Sequence, residues 1–470
     1  MQSRQGRSRF APLIALTIFA LLVTGALPEP AEAASVKASC APAPGAAAKR
    51  LKTRAAAHVR RAKRLRRAGR ARHARGRHFR ARRALRASRR HRRVAKRLRT
   101  RARHCGVAAR RAKLTPTAPP AWVANPQAAV GVEGGIRWRA GADLVDTIAR
   151  LRAAGATHTR ESIAWYRVEP NRGQWTFSET DPWVAEAARQ GLRITALLDG
   201  PPAWATGTTD HKVAPVEGQP LADYANYARK LVERYGTNGT FWTENPQLPK
   251  LPIVEWDVWN EPYMQSYWHN TGAHAWPDPE GYAQMFRMVA SEARKADPNA
   301  KFMAEVEIST TDANNEPFLS RMFDAVPDLA SYMDIASNHP YVHTDGRSPA
   351  TCDPDVSDQS NRYNFCRVRT LRRILDREGA GATKLWLTEF GYSTCGSCGK
   401  WQVSEATQAE YVHAAFRLLR QWDVADGFIW WVYKTGETDP GAEDWMGLVH
   451  RDGSPKPAWA AFSAEARLGL

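Results

Sequence analysis

From Gln127 onward, short apolar runs alternate with stretches in which apolar residues return every three to four positions, the two periods that mark buried strands and amphipathic helices. The runs fall at 129–132, 157–160, 193–198, 254–259, 301–306, 334–337, 384–387 and 427–431. Between and after them lie helical patterns at 142–154, 181–190, 219–235, 279–296, 317–325, 366–378, 404–422 and 456–466. Eight strands that read as buried on both faces, each followed by a helix, predict parallel pairing with right-handed crossovers. The α/β class that closes on itself with this count is the (β/α)8 TIM barrel, expected over 127–470. No G-x-G-x-x-G follows the first strand, so the pattern offers no dinucleotide site.

The chain ahead of the barrel is of a different kind. Residues 1–34 carry Arg4, Arg7 and Arg9, the apolar run 11–23 and the small-residue site Ala31-Glu32-Ala33, the signature of a secretory signal peptide. The protein is therefore expected to be extracellular or attached to the cell surface, with no transmembrane segment in its mature form. Residues 49–113 hold 30 Lys and Arg, and no acidic residue occurs between Ala33 and Val132. Rich in Ala, Leu and Arg, the segment 35–113 favours helix despite its charge. Gly69 and Gly76 interrupt it, which suggests a helical hairpin turning between them with its ends tied by Cys40 and Cys105. The alternative is a basic tail without fixed structure. The prolines of 114–126 make a stiff linker to the barrel.

Divided this way, the formal charge of +21 hides two opposite signs: residues 114–470 contain 34 bases and 45 acids, a net −11, and all 18 tryptophans. The basic segment suits a polyanion such as an anionic cell-wall polymer. With Phe79 its only aromatic, it is poorly equipped to stack on bases, and export removes intracellular nucleic acid as a partner. Six cysteines in an exported chain are expected to pair; fifteen connectivities are open, of which Cys40–Cys105, Cys352–Cys366 and Cys395–Cys398 join near neighbours. Cys395-Gly-Ser-Cys398 also has the spacing of a redox or half-metal motif. It lacks a second such pair or a His cluster, so neither metal nor cofactor is expected.

Candidate chemistry sits at two strand ends. Glu261 closes Trp256-Asp257-Val258-Trp259-Asn260-Glu261-Pro262 after the fourth strand, and Glu389 closes Leu385-Trp386-Leu387-Thr388-Glu389 after the seventh. In a (β/α)8 barrel all C-terminal strand ends open on one mouth, so two carboxyls far apart in sequence can face each other. Cleavage of a glycosidic bond uses such a pair, one as acid at the leaving oxygen and one as nucleophile, about 5 to 5.5 Å apart when configuration is retained.

With Asn260-Glu261-Pro262, Thr388-Glu389-Phe390-Gly391 and the stretch from Arg160 through Trp165, Val168-Glu169-Pro170, Gly173 and Phe177, residues 130–465 resemble the clan A retaining glycoside hydrolases, families 39 and 5 above all. The resemblance implies Glu261 as acid and base, Glu389 as nucleophile, Asn260 as donor to the sugar 2-hydroxyl and Arg160 as support for the nucleophile. It also implies that His339 or Tyr341 bonds the nucleophile and that Trp431 floors the sugar site. Arg160 beside Glu389 would make Glu389 the ionised member of the pair. The duller reading pairs Arg160 with Glu161 or Asp199. Trp165, Trp204, Trp268, Trp401 and Trp445 are further candidate sugar platforms. Glu305 and Glu307 depart from the resemblance; they could line the site or face Arg287 or Arg294.

The expectation is thus a secreted retaining glycosidase acting on an oligo- or polysaccharide. The competing expectation is a non-catalytic carbohydrate- or polyanion-binding surface protein, against which the intact glutamate pair weighs. No Gly-x-Ser-x-Gly elbow supports acyl transfer.

Overall fold

The expected strands are present as β1 (Ala129–Val132), β2 (His158–Ser162), β3 (Arg193–Leu198), β4 (Glu255–Val258), β5 (Lys301–Glu305), β6 (Ile335–Asn338), β7 (Lys384–Leu387) and β8 (Gly427–Trp430), all parallel in one closed barrel. Closure is made by β1 against β8, with Val132 opposite Trp430. Runs such as Ala-Val-Gly-Val and Gly-Phe-Ile-Trp are buried at every position, because helices cover the outside and side chains fill the inside. Ala129, Met303, Ile335 and Trp386 form a small apolar cluster of their own. Gly427 leaves room for the Trp386 indole: a Cβ there would lie 2.4 Å from the ring.

This computed structural model describes residues 44–74, 84–98, 128–312, 315–342, 346–352, 361–396, 402–436 and 445–470. The chain divides into two units, Met1–Ala118 and Pro119–Leu470. In the second, the helices after the strands run at Gly141–Ala153, Asp181–Gln190, Gly218–Tyr235, Pro279–Ala293, Phe318–Ala325, Arg367–Glu378, Glu405–Trp422 and Pro457–Leu468. Their ends carry ordinary signals: the Asp278 side chain accepts from Gly281 N, and the Ser404 side chain from Thr407 N. Pro279–Ala293 stops short of the expected residue 296. Pro298 disfavours helix at Asp297, whose carboxylate instead accepts from Thr237 N and Asn299 N.

Two strands differ from expectation in ways that shape the mouth. β2 runs on to Ser162, opposite Leu197 of β3, so Arg160 lies within the strand and points into the barrel. β4 ends at Val258 because Trp259 turns to a φ of 70°. In the loop before Arg367–Glu378, Cys352 and Cys366 form a disulfide. Cys395 is also disulfide-bonded, while Cys398, Cys40 and Cys105 lie outside the described residues, as do the expected signal peptide 1–34 and the expected linker 114–126.

In the first unit Pro44–Ala74 and 84–98 are helices. Ser88 donates to Ala62 O, and His58 meets His91 at 2.8 Å, so the two helices run antiparallel. Ala55, Ala62, Ala84, Ser88 and Ala95 are buried in the seam, small residues that let the backbones approach. The turn does not begin at Gly69, since the first helix continues through it to Ala74. Each neighbour of Gly69 is a strong helix former, and one glycine costs only about 1 kcal/mol. Among the described residues no helix is long and apolar enough to cross a membrane.

Gly427→Ala should destabilise the barrel by about 1–3 kcal/mol, because the rigid Trp386 ring rather than a flexible side-chain tip must move. Thermal or denaturant unfolding checks this. An unchanged midpoint would mean that Trp386 has free room.

Candidate active site

Arg160 organises the mouth. From the middle of β2 its buried guanidinium donates Nε to Asp257 Oδ2 on β4 at 2.9 Å and Nη1 to Glu389 Oε1 beyond β7 at 2.7 Å. Its Nη2 donates to Glu305 Oε1 on β5 at 2.6 Å and to Asn260 Oδ1 at 2.9 Å. A guanidinium can only donate, so Asn260 must present its amide oxygen to Arg160 and keeps its NH2 as a donor for something else. The surface pairing weighed for Arg160 does not occur. Glu161 instead accepts from Ile136 N and Arg137 after β1, and Asp199 accepts from Ser162 Oγ.

Glu261 leaves β4 on an unusual backbone. Trp259 and Glu261 both have positive φ, 70° and 44°, where side chains other than glycine are strained. The Glu261 N–H donates to Glu305 Oε2 at 2.7 Å, and Trp259 N–H to Leu198 O at 3.0 Å, which hold the turn. Glu305 therefore faces neither Arg287 nor Arg294. Arg294 pairs with Asp334, and Glu307 pairs with the buried Arg367 at 2.7 Å.

His339, after β6, is wedged among carboxylates: its Nδ1 is 2.9 Å from Glu261 Oε1 and 3.4 Å from Glu389 Oε2, and its Nε2 is 3.2 Å from Glu305 Oε1. Tyr341 OH donates to Glu389 Oε2 at 2.9 Å. Of the two residues expected beside the nucleophile, the tyrosine makes the bond to Glu389 and the histidine makes its shorter one to Glu261.

The charges follow from this geometry. Burial works against the imidazolium, but Glu305 and Glu389 raise His339 well above the usual histidine range. Burial also works against ionised Glu305, yet His339 and Arg160 hold it below its ordinary value. Asp257 is pushed up to about 7 by burial against the pull of Arg160. Burial likewise pushes Glu389 up to about 8; His339 and Arg160 oppose this and Glu261 adds to it. Arg160 does draw Glu389 toward the ionised form, as expected, but burial outweighs it. One guanidinium is divided among Asp257, Glu305 and Glu389, too little charge for three buried carboxylates.

Together Glu261, His339 and Glu389 offer atoms all within 4.8 Å of one another, the one metal-like cluster among the described residues. Both ring nitrogens of His339 face carboxylates, whose charge favours the protonated ring over a free lone pair. The cluster suits proton transfer better than coordination.

A cavity of about 430 Å³ opens over these groups, with Arg160, Asn260, Glu261, His339, Tyr341, Glu389 and Trp431 all in its wall. Every sequence-predicted site residue outside the cysteines is thus brought to one place. The tryptophan list fares differently. Trp165 and Trp268 are buried in the core, Trp204 donates to Glu169 O, Trp445 does not reach the cavity and Trp401 lies outside the described residues. The exposed aromatic of the cavity is Trp138 after β1, with the Arg137 and Arg167 guanidinium groups 5.0 and 5.2 Å from its ring. Nothing in Ile136-Arg137-Trp138 marked it beforehand. Glu305 was noticed as out of pattern, and strand alternation alone could place it inside the barrel.

No protein-family model matches this chain, and no curated protein matches it. Its structure is similar to a family 39 glycoside hydrolase of the gut symbiont Bacteroides cellulosilyticus WH2, at 20% identity and TM-score 0.54, over 73% of this chain and 65% of that one. It is also similar to a glucosidase of Croceicoccus marinus, at 17% identity and TM-score 0.51, over 74% of this chain and 68% of that one. A family 5, subfamily 18 enzyme of Streptomyces cattleya, solved with Manβ1-4GlcNAc, gives 17% identity and TM-score 0.51 over 72% of this chain and 80% of that one. This chain therefore spans just under two thirds of the first of these proteins. What the likeness shows is the fold, an eight-stranded parallel barrel of the kind that clan A enzymes have.

Arg160→Met should cost about 3–5 kcal/mol at neutral pH, because Asp257, Glu305 and Glu389 would stay buried without their shared cation. The sign with pH is fixed. Carboxyls whose folded pKa is raised further destabilise progressively as pH climbs, so the deficit against wild type should shrink toward pH 5 and grow toward pH 8. Denaturant unfolding across that range reads it.

Proposed function

We propose that this protein is an exported retaining glycoside hydrolase that cleaves O-glycosidic bonds of an oligo- or polysaccharide by double displacement. The observation that carries the reading is the approach of a Glu261 and a Glu389 oxygen to within 4.8 Å across one cavity, a spacing for direct attack and too close for the intervening water of an inverting enzyme. The leader-like segment 1–34 supports export.

In this reading Trp431 lies under the sugar ring, and the free NH2 of Asn260 donates to a ring hydroxyl beside the reacting carbon. Glu261 gives a proton to the glycosidic oxygen while the Glu389 carboxylate attacks the anomeric carbon; the bond to the leaving group breaks and a glycosyl ester forms. Water then attacks the same carbon, Glu261 takes its proton, and Glu389 leaves as carboxylate. Arg160 and Tyr341 each donate to Glu389, so both steady the charge it recovers. Burial and the neighbouring Glu261 push Glu389 up to about 8, while His339 and Arg160 draw it back toward the ionised form that attacks.

The basic hairpin supports a second element of the proposal, adsorption to an anionic polymer. Its seam uses small residues, while Arg60, Arg61, Arg64, Arg66 and Arg67 are exposed on the outside. Such a surface gains affinity by releasing counterions from a polyanion.

Glu389→Gly should lower turnover at least about 10³-fold, with azide restoring the first step as a glycosyl azide, and Glu261→Gln should abolish release of reducing ends from an oligosaccharide library. Retained sugar binding with no product from the wild type would instead favour a binding protein. Replacing the five exposed arginines by glutamine should release the full chain from phosphocellulose at lower salt without changing hydrolysis of a soluble substrate; equal retention would remove the hairpin from the proposal.

A further inference from the structure

Tyr263 is a deeply buried residue of the cavity wall whose hydroxyl the catalytic reading leaves unused. It is 3% exposed, and its hydroxyl has no hydrogen-bond partner among the described residues, although the residue lines the cavity. Its position is not slack. The Tyr263 carbonyl accepts from Trp276 Nε1 and from Thr310 Oγ1, both at 3.0 Å, and its ring stands edge-on to Phe318. Backbone and ring are therefore pinned while the polar tip is left without a protein partner. A buried hydroxyl in that state costs stability, and a fold that keeps one commonly has a ligand for it. Burial first, and then the carboxylates of Glu261, Glu305, Glu307 and Glu389 in that order, raise the phenol well above its ordinary range, so it remains a donor.

The topology says which end of a substrate it meets. Tyr263 follows β4 two residues after Glu261, and Trp431 follows β8, four strands away around a closed barrel of eight. If the sugar that is attacked rests on Trp431 beside Glu389, the group that leaves departs across Glu261, toward β4 and β5. Tyr263 and Ser309 line the cavity there.

We propose that Tyr263 is a binding residue for the leaving sugar, donating its hydroxyl to an oxygen of that sugar and so selecting a saccharide over a featureless leaving group. The inference rests on the glycosidase reading.

Tyr263→Phe tests it in the full-length protein. The substrates are disaccharides of glucose, mannose and xylose in both anomeric forms, and the 4-nitrophenyl glycosides of the same sugars. The expected result is a kcat/KM that falls at least tenfold more on the disaccharide than on the nitrophenyl glycoside of the same glycone. The melting temperature should be unchanged or raised, since the hydroxyl has no protein partner to lose. Equal effects on the two substrate types, or no effect on either, would overturn the role of Tyr263 and leave the glycosidase reading standing. A lowered melting temperature would also overturn it, by revealing a structural bond. Wild-type protein that turns over neither set would sink the glycosidase reading itself and this inference with it.

Discussion

A single buried guanidinium holds the mouth of this barrel together. Arg160 sits on β2, yet its donors end on β4, β5, the turn after β4 and the turn after β7. A charge so placed is expensive to desolvate, and it is offset only when all its partners are seated at once. The partners come from strands up to 229 residues apart from it in sequence, so the closed barrel must form before the network can exist. In return the network fixes three things together: the direction of Glu389, the orientation of the Asn260 amide and the position of Glu305. Loosening any one arm frees a side chain that the proposed chemistry needs rigid.

Glu305 carries the second half of that constraint. One of its oxygens takes Arg160 and lies beside His339, while the other holds the N–H of Glu261, whose own φ is in the left-handed region. The turn that presents Glu261 is thus strained, and the strain is supported from β5 rather than relaxed. Local distortion of this sort is found where a side chain must be aimed instead of merely packed. Tyr263, pinned with an unpartnered hydroxyl two residues on, belongs to the same trade of stability for presentation.

Much of this was legible in the sequence because parallel barrel strands are buried on both faces, so they read as apolar runs, and because Glu261 and Glu389 each stand just past the end of such a run. Arg160 could be named but its partners could not: pairing across four strands is a property of closure, and local sequence pointed to Glu161 and Asp199 instead. Tryptophans misled for a related reason. An indole serves the core or a sugar equally well, and Trp165 and Trp268 went to the core while Trp138, in a short arginine-flanked turn, is exposed in the cavity. In the basic segment the small residues at 55, 62, 84, 88 and 95 already had the spacing of a helical seam, but the surrounding charge hid it.

The protonation of the site is forced rather than tuned residue by residue. Around the mouth stand Asp257, Glu261, Glu305 and Glu389, with only Arg160 and His339 as cations among them. Two positive charges are few for so many carboxyls, and burial raises Asp257 and Glu389 in spite of the donors each of them has. Glu305, touched by a guanidinium, an imidazolium and a backbone N–H, is the carboxylate most strongly held ionised, while Asp257 and Glu389 are driven upward. The upward drive on Asp257 and Glu389 therefore follows from the number of carboxyls that the fold has packed around one arginine, and not from a special property of either residue.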